Sequence, residues 1–318
     1  MNRQLWLWSS IFLLVLTAAP AVWAQKRLKE KESPQTIGDR DINKRQLNLF
    51  SPEKEMAMGK QMASEVEKRS KFIDDPVVLE FVNRITQNLA LNSDTKTLMR
   101  VKVIDSSEIN AFALPGGFLY VNRGLIEAAD NEAELAGVIA HEVAHVAARH
   151  SMEQLSKGTL MDWVSYPLGF IGRWGNSVNQ TAGLMMPALF LKFSRGAEEE
   201  ADRLAAQYLW KSGYDPQALI SFFEKLQSQE KTAPGTMRKL FRTHPMNEDR
   251  IKDTRKLLAR FPKKEEYQIS SADFIAVKER PVIKRYKWDE AAQAKKDRGL
   301  SSLKRRKRNQ SKSPFPSL

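Results

Sequence analysis

The chain has 318 residues, 28% of them charged, and a formal net charge of +13. That length allows one large domain or two. It contains no cysteine, which excludes disulfides, zinc–thiolate sites, thiol catalysis and a lipid-modified cysteine anchor.

At the N-terminus Arg3 precedes an apolar stretch over 5–19, followed by Pro20 and small residues ending in Ala24. This is the pattern of a secretory signal peptide over 1–24, and it predicts an exported, periplasmic product. The run is short for a spanning helix, but an uncleaved anchor is the alternative, and it would leave the protein membrane-associated. Residues 25–50 are polar and read as a linker. Ser51-Pro52 opens a helix to about Arg69, and Asp75-Pro76 opens another to about Leu91. Strand-like segments follow around Val101–Ile104, at 110–114 and at 118–121, the last two joined by a Pro115-Gly116-Gly117 turn.

Asn131, with Glu134 three residues on, starts a strongly apolar helix carrying Leu135, Val138, Ile139, Val143 and Val146. Two apolar runs lie beyond it, at 160–171 and 182–191. Each is too short to span a bilayer, and glycines and prolines interrupt them. They are predicted to form a helical lid or membrane-surface hairpin over the site. A further helix ends near Ser212 with Gly213 as its cap, and Asp215-Pro216 starts another to about Lys231. Helices are also predicted from Thr243-His244-Pro245 to Phe261 and over 271–279. The fold class is therefore α+β and predominantly helical, with a small sheet ahead of the apolar helix. The organisation is a main domain over 51–262, an extension with one helix over 263–294 and a basic tail over 295–318. Within 295–312 nine Lys and Arg face one acid. Such a run repels itself and buries nothing. It is either a solvated tail or a hook for an anionic membrane surface; nucleic acid is not an expected partner of an exported protein.

Three of the four histidines fall within HEVAHVAARH at 141–150. His141, Glu142 and His145 make the H-E-x-x-H pattern. Residues four apart share a helix face, so both imidazoles can reach one zinc ion. Glu142, on the turn between them, can then act as a general base toward water. A catalytic zinc needs a third protein ligand. In the acidic run at 198–202, Glu198 and Asp202 are again four apart. Spacing alone leaves open whether they serve a metal or form a solvated acidic face. If they serve it, Glu198 binds the ion and Asp202 accepts the free ring N–H of a ligand histidine. His150, nine residues past His141, falls on the far side of a continuous helix and reads as structural.

HEVAHVAARH followed by SRGAEEEAD at 194–202 resembles the zinc metallopeptidases grouped with the HtpX heat-shock protease, the CAAX prenyl endopeptidase, the mitochondrial Oma protease and the periplasmic BepA protease. NAFALPGGFLYVNRGLI at 110–126 and THPMNEDRI at 243–251 extend the resemblance over about 47–262. It implies a zincin-like peptidase fold with one zinc ion, His141, His145 and Glu198 as its ligands, Glu142 as base and Asp202 behind the ligands. It also implies that His244 steadies the tetrahedral intermediate or fills the fourth position at rest, and that Arg195 and Arg250 are supporting arginines. Metallopeptidases hold substrate as an added strand on a sheet edge, and the resemblance places Asn110, Ala111, Phe112 and Ala113 there; an ordinary hairpin is the alternative. The implied function is zinc-dependent endoproteolysis of misfolded or stalled envelope proteins, with unfolded or misassembled chains as substrates. The competing reading is a chaperone or assembly factor that binds exposed strands and cuts little.

Overall fold

The computed structural model describes residues 28–29, 32–44, 46–165, 193–232, 243–245 and 247–284. The signal sequence at 1–24, the lid predicted within 160–191 (from 166 onward) and the basic tail at 295–318 lie outside the described residues.

Helix α1 (Pro52–Arg69) starts where Ser51 accepts the Lys54 N–H, with Pro52 in the first turn. Helix α2 (Pro76–Leu91) starts on Asp75, which caps Val77 and Val78. Its buried Val78, Phe81, Val82, Ile85 and Leu89 form one apolar face at helical spacing. Three strands follow: β1 (Arg100–Ile104), β2 (Ala111–Leu114) and β3 (Phe118–Asn122). Their order is β1-β3-β2, with β1 parallel and β2 antiparallel to β3. The β2–β3 turn works because Gly116 and Gly117 take φ of 75° and 82°, values that side chains resist. Strand β2 is thus an edge strand, with Ala111 opposite Val121 and Ala113 opposite Leu119.

After the short α3 (Arg123–Ala128), α4 (Glu132–Ala147) runs through the centre of the molecule with every residue buried. Asn131 caps it by accepting the Glu134 N–H, while the Glu134 carboxylate takes the Asp130 N–H. The remaining helices are α5 (His150–Ser165), α6 (Arg195–Ser212), α7 (Gln217–Thr232), α8 (Glu248–Leu258) and α9 (Ala272–Glu279). Helix α4 packs on α6, α2, α7 and the edge strand β2. Gly213 ends α6 at φ 90°. Helix α8 begins later than the sequence suggests: Asn247 caps it, and Pro245 keeps His244 out of helical geometry. Among the described residues no helix is long and apolar enough to cross a membrane.

The segment predicted as a polar linker is part of the fold where it is described. Ile37 and Ile42 join the main core. Arg40 makes a buried pair with Asp94 at 2.7 Å and also donates to Gln207, and Tyr208 donates to the same Asp94. The apolar residues of this charged run, Ile37 and Ile42 among them, are scattered without helical or strand periodicity. At the other end, Phe274, Val277 and Ile283 enter the same core. There Ser271 and Gln268 both donate to Glu132, at the start of α4. The segments on either side of 51–262 thus share its core.

Candidate metal centre

Helix α4 carries His141 and His145 on one face, one turn apart. Helix α6 lies against that face and begins at Ser194, so Glu198 stands in its first turn, where the helix dipole favours a carboxylate. His244 enters from the segment before α8. Among the described residues, His141, His145, Glu198 and His244 each bring one ligand-type atom within 4.8 Å of the others, and all four are buried.

The separations can be tested against coordination geometry. His141 Nε2 lies 3.1 Å from His145 Nε2 and 3.4 Å from a Glu198 oxygen, and His145 Nε2 lies 3.6 Å from the other Glu198 oxygen. His244 Nδ1 is 3.3 Å from His141 Nε2 and 3.0 Å from Glu198 Oε1. A tetrahedral centre with bonds of about 2.0–2.1 Å has ligand–ligand edges of about 3.3–3.4 Å. The five separations, three of them taken to one or other Glu198 oxygen, fall close to such edges. Hydrogen bonding explains the cluster poorly, because His141 Nε2 faces two ring nitrogens and a carboxylate and can offer at most one proton. Glu142 Oε1 is also buried without a hydrogen bond. The residues present fit a divalent cation.

Electrostatics point the same way. Burial disfavours a proton on His141, but Asp202 and Glu198 outweigh it and push this imidazole up to about 9. Burial and the His141 charge drive His145 well below its usual range. Glu198 is held far below the ordinary carboxylate range: burial opposes this, and the surrounding His244, His141 and His145 overcome it. The two carboxylates thus favour one positive charge in the pocket, and that charge disfavours a second on His145.

Asp202, one turn along α6 from Glu198, sits 3.1 Å from His141 Nδ1. Arg250 grips Asp202 with Nε at 2.6 Å and Nη2 at 2.7 Å. Its Nη1 reaches the Pro245 carbonyl at 2.8 Å and lies 2.9 Å from Glu198 Oε2. One arginine thus ties the α6 carboxylates to the segment that carries His244, a role that sequence spacing did not specify. Arg195 is exposed and, among the described residues, pairs with Asp249 at 3.9 Å. Glu142 is almost fully buried. Its Oε2 accepts the Ala113 N–H at 3.1 Å, and its Oε1 lies 3.3 Å from His244 Nε2.

Of the four residues assigned to a substrate strand, Ala113 touches this machinery directly. Asn110 is buried, and its carbonyl accepts from Asn122, so by strand alternation Ala111 and Ala113 turn their backbone polar groups away from β3. Phe112 stacks on Tyr120 at 5.1 Å and belongs to the small cluster beside α1.

The placement of His150 on the far side of the metal helix is overturned. Helix α4 ends at Ala147, and Arg149 takes φ 49° before α5 begins at His150. The break re-aims the chain, and His150 Nδ1 lies 2.8 Å from His145 Nδ1. Nothing in AARH signals a helix break, because the residue in the left-handed region is an arginine. That conformation costs on the order of 1–3 kcal/mol. It is held by Glu55, at 2.7 Å from the guanidinium, and by the Phe50 carbonyl at 3.0 Å.

The profile of Peptidase family M48 matches residues 78–258, which span every residue of this centre. The chain belongs to peptidase family M48. The beta-barrel assembly-enhancing protease of Yersinia pestis is 32% identical over 221 residues, covering 65% of this chain and 44% of that protein. Metalloprotease YcaL of Escherichia coli K12 is 30% identical over 209 residues, covering 64% of this chain and 76% of its own. The mitochondrial metalloendopeptidase OMA1 of Schizosaccharomyces pombe is 31% identical over 222 residues, 66% of this chain and 63% of that protein. The chain thus spans less than half the length of the Yersinia relative. In this M48 chain the matched region runs from α2 to the end of α8, and so includes the sheet, α4, α6 and Arg250.

Proposed function

We propose that this M48 peptidase is a zinc-dependent endopeptidase of the cell envelope that cleaves misfolded or stalled envelope proteins. The reading rests on one observation: two imidazoles and a carboxylate lie at tetrahedral-edge separations beside a buried glutamate that is held by an edge strand. His141, His145 and Glu198 would hold the ion, and two neutral imidazoles with a carboxylate suit zinc best. When bound, zinc supplies Lewis acidity toward the scissile carbonyl and toward water. Glu142 takes the proton of the attacking water and delivers it to the leaving amine. The Ala113 N–H fixes its carboxylate, and burial pushes its pKa up, which suits a group that must both accept and release a proton. Asp202 fixes the ring of His141. Extended substrate would pair with the side of β2 turned away from β3, next to Glu142, displacing the Ala113 contact. The envelope location draws on the signal-like N-terminus and on relatives named for β-barrel assembly. The zinc assignment is tested by metal analysis of the purified chain, with one zinc per molecule expected and His145→Ala losing it. An undiminished zinc content in His145→Ala would remove the assignment.

For His244, the distances favour the fourth corner over a role at the oxyanion. Its Nδ1 stands among the ligand atoms, where an attacking water would have to be. His244→Ala should therefore raise turnover of an unfolded substrate several-fold while weakening zinc retention. A fall of about 10²–10³ in kcat would instead mark His244 as an oxyanion donor.

A further inference from the structure

We propose that His150, itself oriented by Glu200, is a positioning residue that fixes the tautomer and ring plane of His145. The inference rests on the metal reading above.

Two imidazole nitrogens 2.8 Å apart must share one proton, with one donating and the other accepting. His145 directs Nε2 at His141 and Glu198. If that nitrogen lends its lone pair to a metal, the neutral ring carries its proton on Nδ1 and donates it to His150 Nδ1. His150 then carries its own proton on Nε2. That atom points at Glu200 Oε2, 3.4 Å away. The carboxylate end sets the direction of the whole chain: Glu200 accepts only, so each N–H points away from the metal cluster and each acceptor points toward it. His145 and His150 are both buried, so no solvent competes for the bond between them. Phe193 stacks on the His145 ring at 4.1 Å and closes one of its faces.

The arrangement parallels the other ligand histidine, whose Nδ1 faces Asp202. Each ligand ring is steadied from behind by a residue that does not touch the cluster. For His141 this is a carboxylate one turn along α6 from Glu198. For His145 it is an imidazole delivered by the break at Arg149. Five residues on a continuous helix would turn His150 roughly 140° from His145, so the left-handed Arg149 and its Glu55 partner are what make the contact. Groups behind a ligand histidine set its basicity and orientation, and their loss weakens metal binding about 10- to 100-fold.

The test measures zinc affinity of the full-length protein by competition with a chromogenic chelator, together with the thermal midpoint in EDTA. His150→Phe keeps the ring volume and removes the acceptor. It should bind zinc about 10- to 100-fold more weakly. His150→Asn places Oδ1 where Nδ1 stood and should stay within a few-fold of wild type. Glu200→Ala changes a partly exposed side chain and should give a smaller loss with an unchanged metal-free midpoint. Should His150→Phe fail to fold, Asn at 150 and Ala at 200 still decide the matter. Wild-type affinity in His150→Phe or in Glu200→Ala, or a loss in His150→Asn as large as in His150→Phe, would overturn the inference while leaving the metal site standing. Absence of zinc binding by the wild-type chain would remove both.

Discussion

Glu142→Gln should retain zinc and the wild-type fold while losing peptide hydrolysis by at least about 10²–10⁴-fold, the contribution of a positioned acid–base group. The substitution is close to isosteric. The amide oxygen can still accept the Ala113 N–H that now goes to Glu142 Oε2, so β2 and α4 stay docked. What disappears is the ability to accept a proton. The other groups near this position do not replace it: His244 Nε2 is 3.3 Å from the same carboxylate, but its Nδ1 is committed among the ligand atoms. The measurement pairs kcat/KM on an unfolded protein substrate with zinc content of the same sample. Turnover within tenfold of wild type, with zinc still bound, would remove Glu142 as the base. The variant also separates the two functional readings, since a chaperone that acts by holding strands keeps its effect in Glu142→Gln and a protease loses it.

The elements that set this geometry were legible to different degrees, for physical reasons. Helix α4 could be read closely because its N-cap, apolar run and histidine spacing are all local signals, and α1, α2, α6 and α9 follow from Ser51, Asp75, Gly213 and Ser271 in the same way. The sheet was visible as strands, but its order was not: the parallel β1–β3 pairing, which leaves β2 at an edge beside Glu142, depends on non-local contacts. Arg250 was visible as a motif residue, but its bidentate grip on Asp202 joins positions 48 apart in sequence. His150 was misplaced because the break at Arg149 is enforced by Glu55 and the Phe50 carbonyl, almost a hundred residues upstream, against the residue's own preference. Arg40 and its buried pairing with Asp94 were hidden for the same reason, since a charged residue in a polar run gives no local hint of burial.

Arg250→Met should destabilise the metal-free protein by about 3–5 kcal/mol, because it strands buried carboxylates whose counter-charge it supplies. Both partners are nearly inaccessible, with side chains 2% and 4% exposed for Arg250 and Asp202. Burial pushes the Asp202 carboxyl up, but Arg250 and His141 outweigh it and hold it below the ordinary range. A depressed folded-state pKa contributes stability above the unfolded value of about 3.9, and that contribution is lost as pH falls through the folded value. The gap between wild type and variant should therefore be widest near neutrality and shrink in acid, as Asp202 takes up its proton in both proteins. Urea unfolding in EDTA at neutral and acidic pH measures this directly. A neutral-pH difference under about 1 kcal/mol, far short of a broken buried pair, would mean that His141 alone compensates Asp202. Arg250→Lys should fall between the two, since an ammonium keeps the charge but cannot span both Asp202 oxygens and the Pro245 carbonyl at once. The Pro245 bond gives the substitution a second consequence. With Nη1 gone, the segment carrying His244 loses its tether to α8, so Arg250→Met should also loosen His244 from the fourth corner, a displacement that Asp202→Asn, which leaves the Pro245 contact in place, should not reproduce.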